Sequence, residues 1–435
     1  MSAWKRLDRS HHLLLVLLGA TTFFDGYDTA IIALALRQIR ATFHLTQGSA
    51  SLWLTFLYLG ALPALFLTRR ADIIGRRRVL LISVTGYTLA TGATAFAPSI
   101  AAFVGLQFIG RLFLYTENAV VWTVAAEELP AAERGFGFGI LGMASALGVG
   151  FGAILYGGIL QPMGVSWRVM YLIALPPLLI VASLRRRLKE TQRFAAARDE
   201  GTLADRWHRI FRPELRRALV LVLSTAFLFQ LTQQAQLFAL DFLQSDRGIS
   251  ASVASFMLVG AGLPGIPIMV CAGSLSDRYG RRLVGCTFGL ASLLGAMAFF
   301  WLPGGVPVLL PALTLVIVGQ LAAFPVIASY TSELFPTSVR GQASAWASVA
   351  RVLGSSTSLA VGGALLKVTH HLSPTVTILA IGPLIATAIV AFGFPDTHGR
   401  ELEATSGSEQ DDAPQHFPAM HLGEGILHTV DPDLL

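Results

Sequence analysis

Charge is scarce in this 435-residue chain. Asp, Glu, Lys and Arg make up 13% of it, about half the share of an ordinary soluble domain. Set against 54% hydrophobic residues and a mean hydropathy of +0.62, that scarcity excludes a soluble globular protein and points to a polytopic membrane protein. Cysteine is nearly missing. Cys271 and Cys286 fall at or within apolar stretches, so no disulfide framework is expected and both read as free thiols. The ten histidines have no ligand spacing, and no metal site is expected. No G-x-x-x-x-G-K-[ST] loop is present, which argues against direct ATP coupling. No nucleophile–base constellation is visible, so no enzyme is expected. The arginines lie between hydrophobic runs rather than on a soluble face, which leaves no footprint for nucleic acid.

What the chain has in quantity is long apolar runs. Twelve spans lie at about 13–36, 50–68, 79–97, 101–125, 136–160, 168–184, 218–240, 252–272, 283–302, 306–328, 342–363 and 375–394, most near the roughly 20 residues that cross a bilayer. The first has no small-residue cleavage site followed by a polar segment, and reads as a retained helix. With the N-terminus inside, 25 of the 32 Lys and Arg residues fall on the cytoplasmic side. Five lie opposite (Arg37, Arg40, Arg168, Arg247, Lys367), and Arg111 and Arg351 lie within spans. That bias places both termini in the cytoplasm of a plasma-membrane protein.

The basic connection 185–217 divides the spans into a 1–184 bundle and a 218–394 bundle. An acidic tail, 395–435, has no apolar period and reads as a disordered cytoplasmic extension. The bundles repeat each other. D-x-x-G-R-R stands at Asp72-Ile73-Ile74-Gly75-Arg76-Arg77 and again at Asp277-Arg278-Tyr279-Gly280-Arg281-Arg282, 205 residues later. E-x-x-P-x-x-x-R-G runs from Glu127 to Arg134-Gly135 and again from Glu333 to Arg340-Gly341, 206 residues later. Two motifs in register at nearly one separation mark an internal repeat, a common plan for transporters with two rocking halves.

These motifs resemble those of the major facilitator superfamily over essentially the whole chain to about residue 395. Asp25-Gly26-Tyr27-Asp28 in the first span, with Arg351 in the eleventh, look most like its proton symporters for aromatic acids and related metabolites. The resemblance implies an all-α membrane fold of twelve transmembrane helices in two pseudo-symmetric six-helix bundles. It also implies alternating access driven by the proton gradient, with no cofactor.

The stretch TTFFDGYDTAIIALAL carries the sharpest signal. A carboxylate facing lipid at mid-span costs about 2.5–3.5 kcal/mol on insertion scales. Asp25 and Asp28 stand at i and i+3, so one wet or paired cavity could shelter both. Low dielectric and a neighbouring like charge favour the protonated carboxyl, so one acid can take up and release a proton. The bland alternative is a helix cap or an interhelical pair. Tyr27 is a candidate substrate contact or plain packing. Arg111 and Glu117 in the fourth span read either as an ion-pair network with Asp25 and Asp28, or as an anion contact and a second proton site. Arg351 suits a carboxylate, its structural alternative being a pair with Asp241 or a backbone carbonyl. Gln230, Gln233 and Gln234 lie on or near one helical face and suit a polar substrate or helix–helix bonding. Asp72, Gly75, Arg76, Arg77, Glu127, Arg134, Asp277, Gly280, Arg281, Arg282, Glu333 and Arg340 read as cytoplasmic gates, with salt bridges that form in one state and break in the other.

The expected function is uptake of a small organic anion with protons by a monomer in a lipid bilayer. Proton-driven efflux of drugs or metabolites is the alternative; a sugar porter or a non-transporting sensor stands further back.

Overall fold

In hydrocarbon there is no water for backbone N–H and C=O groups, so a span must satisfy them internally, and a helix does so within one segment. The computed structural model describes residues 7–130, 134–185, 209–335 and 337–394, helical along nearly their whole length. Most of the 185–217 connection and the 395–435 tail lie outside the described residues.

Twelve helical rods follow the expected spans. In the first half these are α1 (Arg9–Thr42), α2 (Gln47–Leu59) with α3 (Ala64–Ile74), α4 (Arg76–Thr94) and α5 (Ile100–Glu128), then α6 (Arg134–Ile154) continued by a π segment (Leu155–Leu160), and α7 (Arg168–Arg185). The second half has α8 (Pro213–Phe229), a 3-10 turn (Gln230–Thr232) and α9 (Gln233–Ser245) as one rod. It continues with α10 (Ala251–Gly262) and α11 (Gly265–Tyr279), α12 (Arg281–Trp301), α13 (Val306–Glu333), α14 (Thr337–Thr369), and α15 (Leu372–Leu379) with α16 (Ile381–Phe392). Among the described residues, nine helices are long and apolar enough to cross a membrane. The second and eighth rods both break just before a proline-started segment, at Pro63 and Pro264. Prolines there interrupt the i→i−4 ladder. Thr46, Ser99 and Ser250 cap α2, α5 and α10 by accepting from the backbone N–H three residues on, each contributing about 1 kcal/mol.

The repeat extends to the crossings. Gly148 on α6 meets the Phe23 carbonyl of α1; 206 residues later, Gly354 on α14 meets the Phe227 carbonyl of α8. Small residues let backbones approach where no hydrophobic drive between helices exists. Gly26 likewise lies against the Ser145 carbonyl, so the glycine between the two acids sets the contact of α1 with α6.

The two halves meet at the ends remote from the arginine-rich loops. The Ser51 hydroxyl lies 2.6 Å from the Gln234 side-chain oxygen and 2.7 Å from the Leu359 carbonyl, either of which can accept its proton, Gly48 abuts Gly363, and Gly157 abuts Ser255.

The glycine of each D-x-x-G-R-R motif joins two helices with φ/ψ of 104°/145° at Gly75 and 93°/144° at Gly280. This lies beside a region essentially reserved for glycine, where a side chain costs about 1–3 kcal/mol. Gly75→Ala and Gly280→Ala are each expected to lower the melting temperature of the purified protein, whereas Gly150→Ala, with open space beside it, leaves it unchanged. Equal melting of all three would contradict the backbone assignment.

Candidate functional site

The intramembrane acids lie in the interior of the first half. Asp25 and Asp28 are 5% and 3% exposed, one turn apart on α1. Asn118 of α5 donates to Asp25 (3.1 Å) and is itself held by the Trp122 indole, which donates to its carbonyl oxygen at 2.7 Å. Arg111, also on α5, stands 3.8 Å from Asp28 with both side chains almost fully buried. The Tyr87 hydroxyl reaches the Phe24 carbonyl at 3.4 Å and lies beside the Asp28 carboxylate. The Arg111 guanidinium lies over the Tyr58 ring, 5.5 Å from its centre. Each charge thus has a counter-charge or hydrogen-bonding neighbours, as burial demands. Glu117 is fully buried on α5, but six residues turn it about 240° around the helix from Arg111, onto a different face.

A cavity of about 490 Å³ lies largely in the second half. Its wall is mainly apolar, with Phe229, Phe299 and Phe300 in it. The polar exceptions are Gln230, Thr232, Gln236, Gln320 and Arg351, and Ala33 of α1 closes one side. Arg351 is held by a 2.7 Å bond to Ser348, one turn earlier on α14. A smaller cavity of about 30 Å³ lies beside it and shares Thr232, Ala296 and Gln320 in its lining.

The expectation that the two acids and Arg351 face one chamber is not met. Asp25, Asp28, Arg111 and Glu117 are absent from the cavity lining, which Arg351 joins from the other half. Tyr115, one turn beyond Arg111, interacts electrostatically with both arginines. Tyr27 is wholly buried and donates to the Met170 carbonyl of α7 at 2.8 Å, away from the cavity. The three glutamines do not share a surface either, because the 3-10 turn re-phases the rod between them. Gln230 lines the cavity, Gln233 donates to the Tyr58 hydroxyl (3.1 Å), and Gln234 is buried against Ser51. Asp241 does not pair with Arg351. Its two oxygens accept from Arg40 at 2.7 and 2.6 Å, across the two halves.

At the arginine-rich end, Arg76 donates to the Ala71 carbonyl and Arg282 to the Ala391 carbonyl, each within its own half. Arg77, Arg281 and Arg340 are half-buried. The side chains of Asp72, Glu127, Arg134, Asp277 and Glu333 lie outside the described residues. Sequence reasoning missed Asn118, Tyr58, Tyr87, Thr232 and Gln320. Asn118 and Gln320 were visible as amides in apolar spans.

Rods repeated in two sets of six, a buried cluster of two acids and an arginine in one set and a cavity lined by Arg351 in the other, define a membrane carrier. The model of the Major Facilitator Superfamily matches residues 18–234 and 222–426, and the chain belongs to that family. It is a multi-pass transporter rather than an enzyme. The chain is 26% identical to a cis,cis-muconate transport protein of Acinetobacter baylyi, over 73% of this chain and 79% of that one. It is 26% identical to a niacin transporter of the same organism, over 92% and 97%. It is 25% identical to a probable 4-methylmuconolactone transporter of Cupriavidus pinatubonensis, over 92% and 93%. The crystal structure of a D-xylose–proton symporter shares the fold, with a TM-score of 0.70 at 20% identity, over 90% of this chain and 99% of that one.

The Arg40–Asp241 pair is the charged contact that closes the end where the halves meet. Gln47 donates to Asp241 (2.9 Å) and to Asp246 (3.3 Å). Burial pushes the Asp246 carboxyl above the usual range, and the neighbouring Asp241 adds to this against the hydrogen bond from Gln47. A raised carboxyl favours the closed contact in its protonated form, so that contribution is present at low pH and lost as pH rises through the raised value. Spin labels at Ala41 and Val253 are therefore expected to draw together as pH falls, and the part of that pH dependence carried by this contact is expected to be lost in Asp246→Asn, shrinking the change. Asp241→Asn should lengthen the distance at every pH; a distance indifferent to both substitutions would contradict the latch.

Proposed function

We propose that this transporter imports small organic anions together with protons by alternating access, as a monomer in the plasma membrane with both termini in the cytoplasm. The carrying observation is Arg351, a guanidinium in the wall of a mainly apolar cavity. Its planar fork matches a carboxylate bidentately. Phe229, Phe299 and Phe300 suit an apolar or aromatic body, and Gln230, Gln236 and Gln320 suit its polar substituents. Relatives named for cis,cis-muconate and niacin support the anion reading. The bias of Lys and Arg to one side supports the orientation, which puts the Arg40–Asp241 contact outside and the cavity in a state closed to the exterior.

The proton site in this reading is Asp28, with Asp25 beside it. As a carboxylate Asp28 is counter-charged by Arg111. Protonated, it leaves the guanidinium unbalanced in a low-dielectric interior, and the two states favour different arrangements of the helices around them. Arg76, Arg77, Arg281, Arg282 and Arg340 act at the cytoplasmic gate, with Gly75 and Gly280 as its fixed corners.

Uptake of radiolabelled niacin and cis,cis-muconate into proteoliposomes tests the reading. One proton per monovalent anion is electroneutral, so a gradient of one pH unit supplies about 1.4 kcal/mol and about tenfold accumulation. Asp28→Asn is expected to abolish the response to the gradient. Arg351→Gln removes charge-assisted hydrogen bonds of about 1.5–3 kcal/mol and is expected to weaken uptake about ten- to a hundredfold. Uptake that ignores the gradient in the parent protein would end the symport reading.

A further inference from the structure

The acids and the cavity do not share a chamber, so a proton-coupled cycle needs a physical link between them. We infer that Tyr58 is a coupling residue: its ring contacts Arg111 and its hydroxyl accepts from Gln233, joining the buried charge cluster of the first half to the rod that lines the cavity in the second. The inference rests on the proton-coupled reading above and names the part through which it works.

Each step is a contact. Arg111 stands 3.8 Å from Asp28 and 5.5 Å from the centre of the Tyr58 ring. Tyr58, on α2, is 6% exposed, and its hydroxyl receives the Gln233 amide at 3.1 Å. Gln233 is the first residue of α9, directly after the 3-10 turn Gln230–Thr232. Gln230 and Gln236, about one turn to either side, line the cavity, as does Thr232. A stretch of 3-10 helix inside a rod is a weak point in its hydrogen-bond ladder. Here it is braced from α14, where Ser358 donates to the Leu231 carbonyl (2.7 Å) and accepts from the Gln234 N–H (3.1 Å). Two bonds from α2 reach the rod beside the turn, Ser51 to the Gln234 side chain and Gln233 to Tyr58; Tyr58 is the one of the two that also lies under Arg111, so a displacement of Tyr58 acts where the rod yields most easily.

The sequence of events is electrostatic. Hydronium transfers its proton to Asp28, its O–H bond breaking as the carboxyl O–H forms, and departs as water, which cancels the charge of Asp28. The Arg111 guanidinium, still charged, then relies more on the face of Tyr58. Movement of that ring shifts or breaks the bond to Gln233, and the cavity-facing residues Gln230, Thr232 and Gln236 move with the turn. Reciprocity requires that an anion bound among them alter the proton affinity of Asp28 by the same free energy.

Tyr58→Phe keeps the ring over Arg111 and removes only the acceptor oxygen. Amide hydrogen exchange of residues 230–240, corrected for intrinsic rate, reads the rod without any substrate. In the parent protein exchange is expected to differ about tenfold between about pH 5 and about pH 8, the change that one pKa unit of coupling produces. In an Asp246→Asn background, which removes the titration of the Arg40–Asp241 contact, Asp28→Asn is expected to make it pH-independent. Tyr58→Phe is expected to do the same with Asp28 intact, while exchange in α12 and the melting temperature stay at parent values. Tyr58→Phe that tracks the parent pH profile, or that loses protection throughout the chain, would overturn the coupling role and leave the proton site standing. A parent profile already flat with pH would overturn the proton site itself, and the coupling role with it.

Discussion

A guanidinium and a carboxylate held 3.8 Å apart inside a membrane helix bundle, each nearly sealed from solvent, set the terms for the first half of this transporter. Removing one partner of such a pair leaves an uncompensated buried charge, at a cost of about 3–5 kcal/mol. The neighbours of Arg111 and Asp28 follow from that constraint. Tyr58 offers a ring face, Tyr87 a hydroxyl, and Asn118 an amide fixed by Trp122 to serve Asp25. A site whose charge balance changes with one proton, and whose shell is built from bonds that can be rearranged, has the two discrete states that alternating access requires.

The repeat supplies the frame and is then used unequally. Both halves turn their loops on a glycine at nearly the same φ and ψ, and both cross their first and fifth rods at a glycine 206 positions apart. The segment of the second half that corresponds to Asp25–Asp28 is the amide-rich run around Gln230–Gln234, broken by a 3-10 turn. Where Ser145 packs against Gly26 in the first half, the position 206 residues on is Arg351. The first half therefore keeps the membrane-embedded acid pair and the second the cavity, and the proposed link between them crosses from α2 to α9.

Much of this was legible in advance. The twelve rods follow from long apolar runs, and the two motifs reveal the repeat, because glycine and arginine at fixed offsets are demanded by backbone geometry and charge placement. Asp25, Asp28, Arg111 and Arg351 stood out because charge in an apolar run is costly. Which chamber each one faces was not legible. Helical periodicity tells which residues share a face, but not which neighbour that face meets, so the acids and Arg351 were assigned one chamber. Gln230, Gln233 and Gln234 were grouped because nothing in QLTQQ, free of Pro and Gly, announces a 3-10 turn. Tyr58 gave no signal at all, since a tyrosine in an apolar span is ordinary until its ring is found under a guanidinium. The latch was hidden for a different reason: Arg40 and Asp241 lie 201 residues apart and only the docked halves bring them together.

The most direct test of the central claim is infrared difference spectroscopy of the purified transporter in lipid nanodiscs, recorded as niacin is added at constant pH. The account predicts a change in the band of a protonated carboxyl group on binding, retained in Arg40→Gln and lost in Asp28→Asn. Bound niacin with no carboxyl change, or a change that persists when Asp25 and Asp28 are both replaced by Asn, would contradict it.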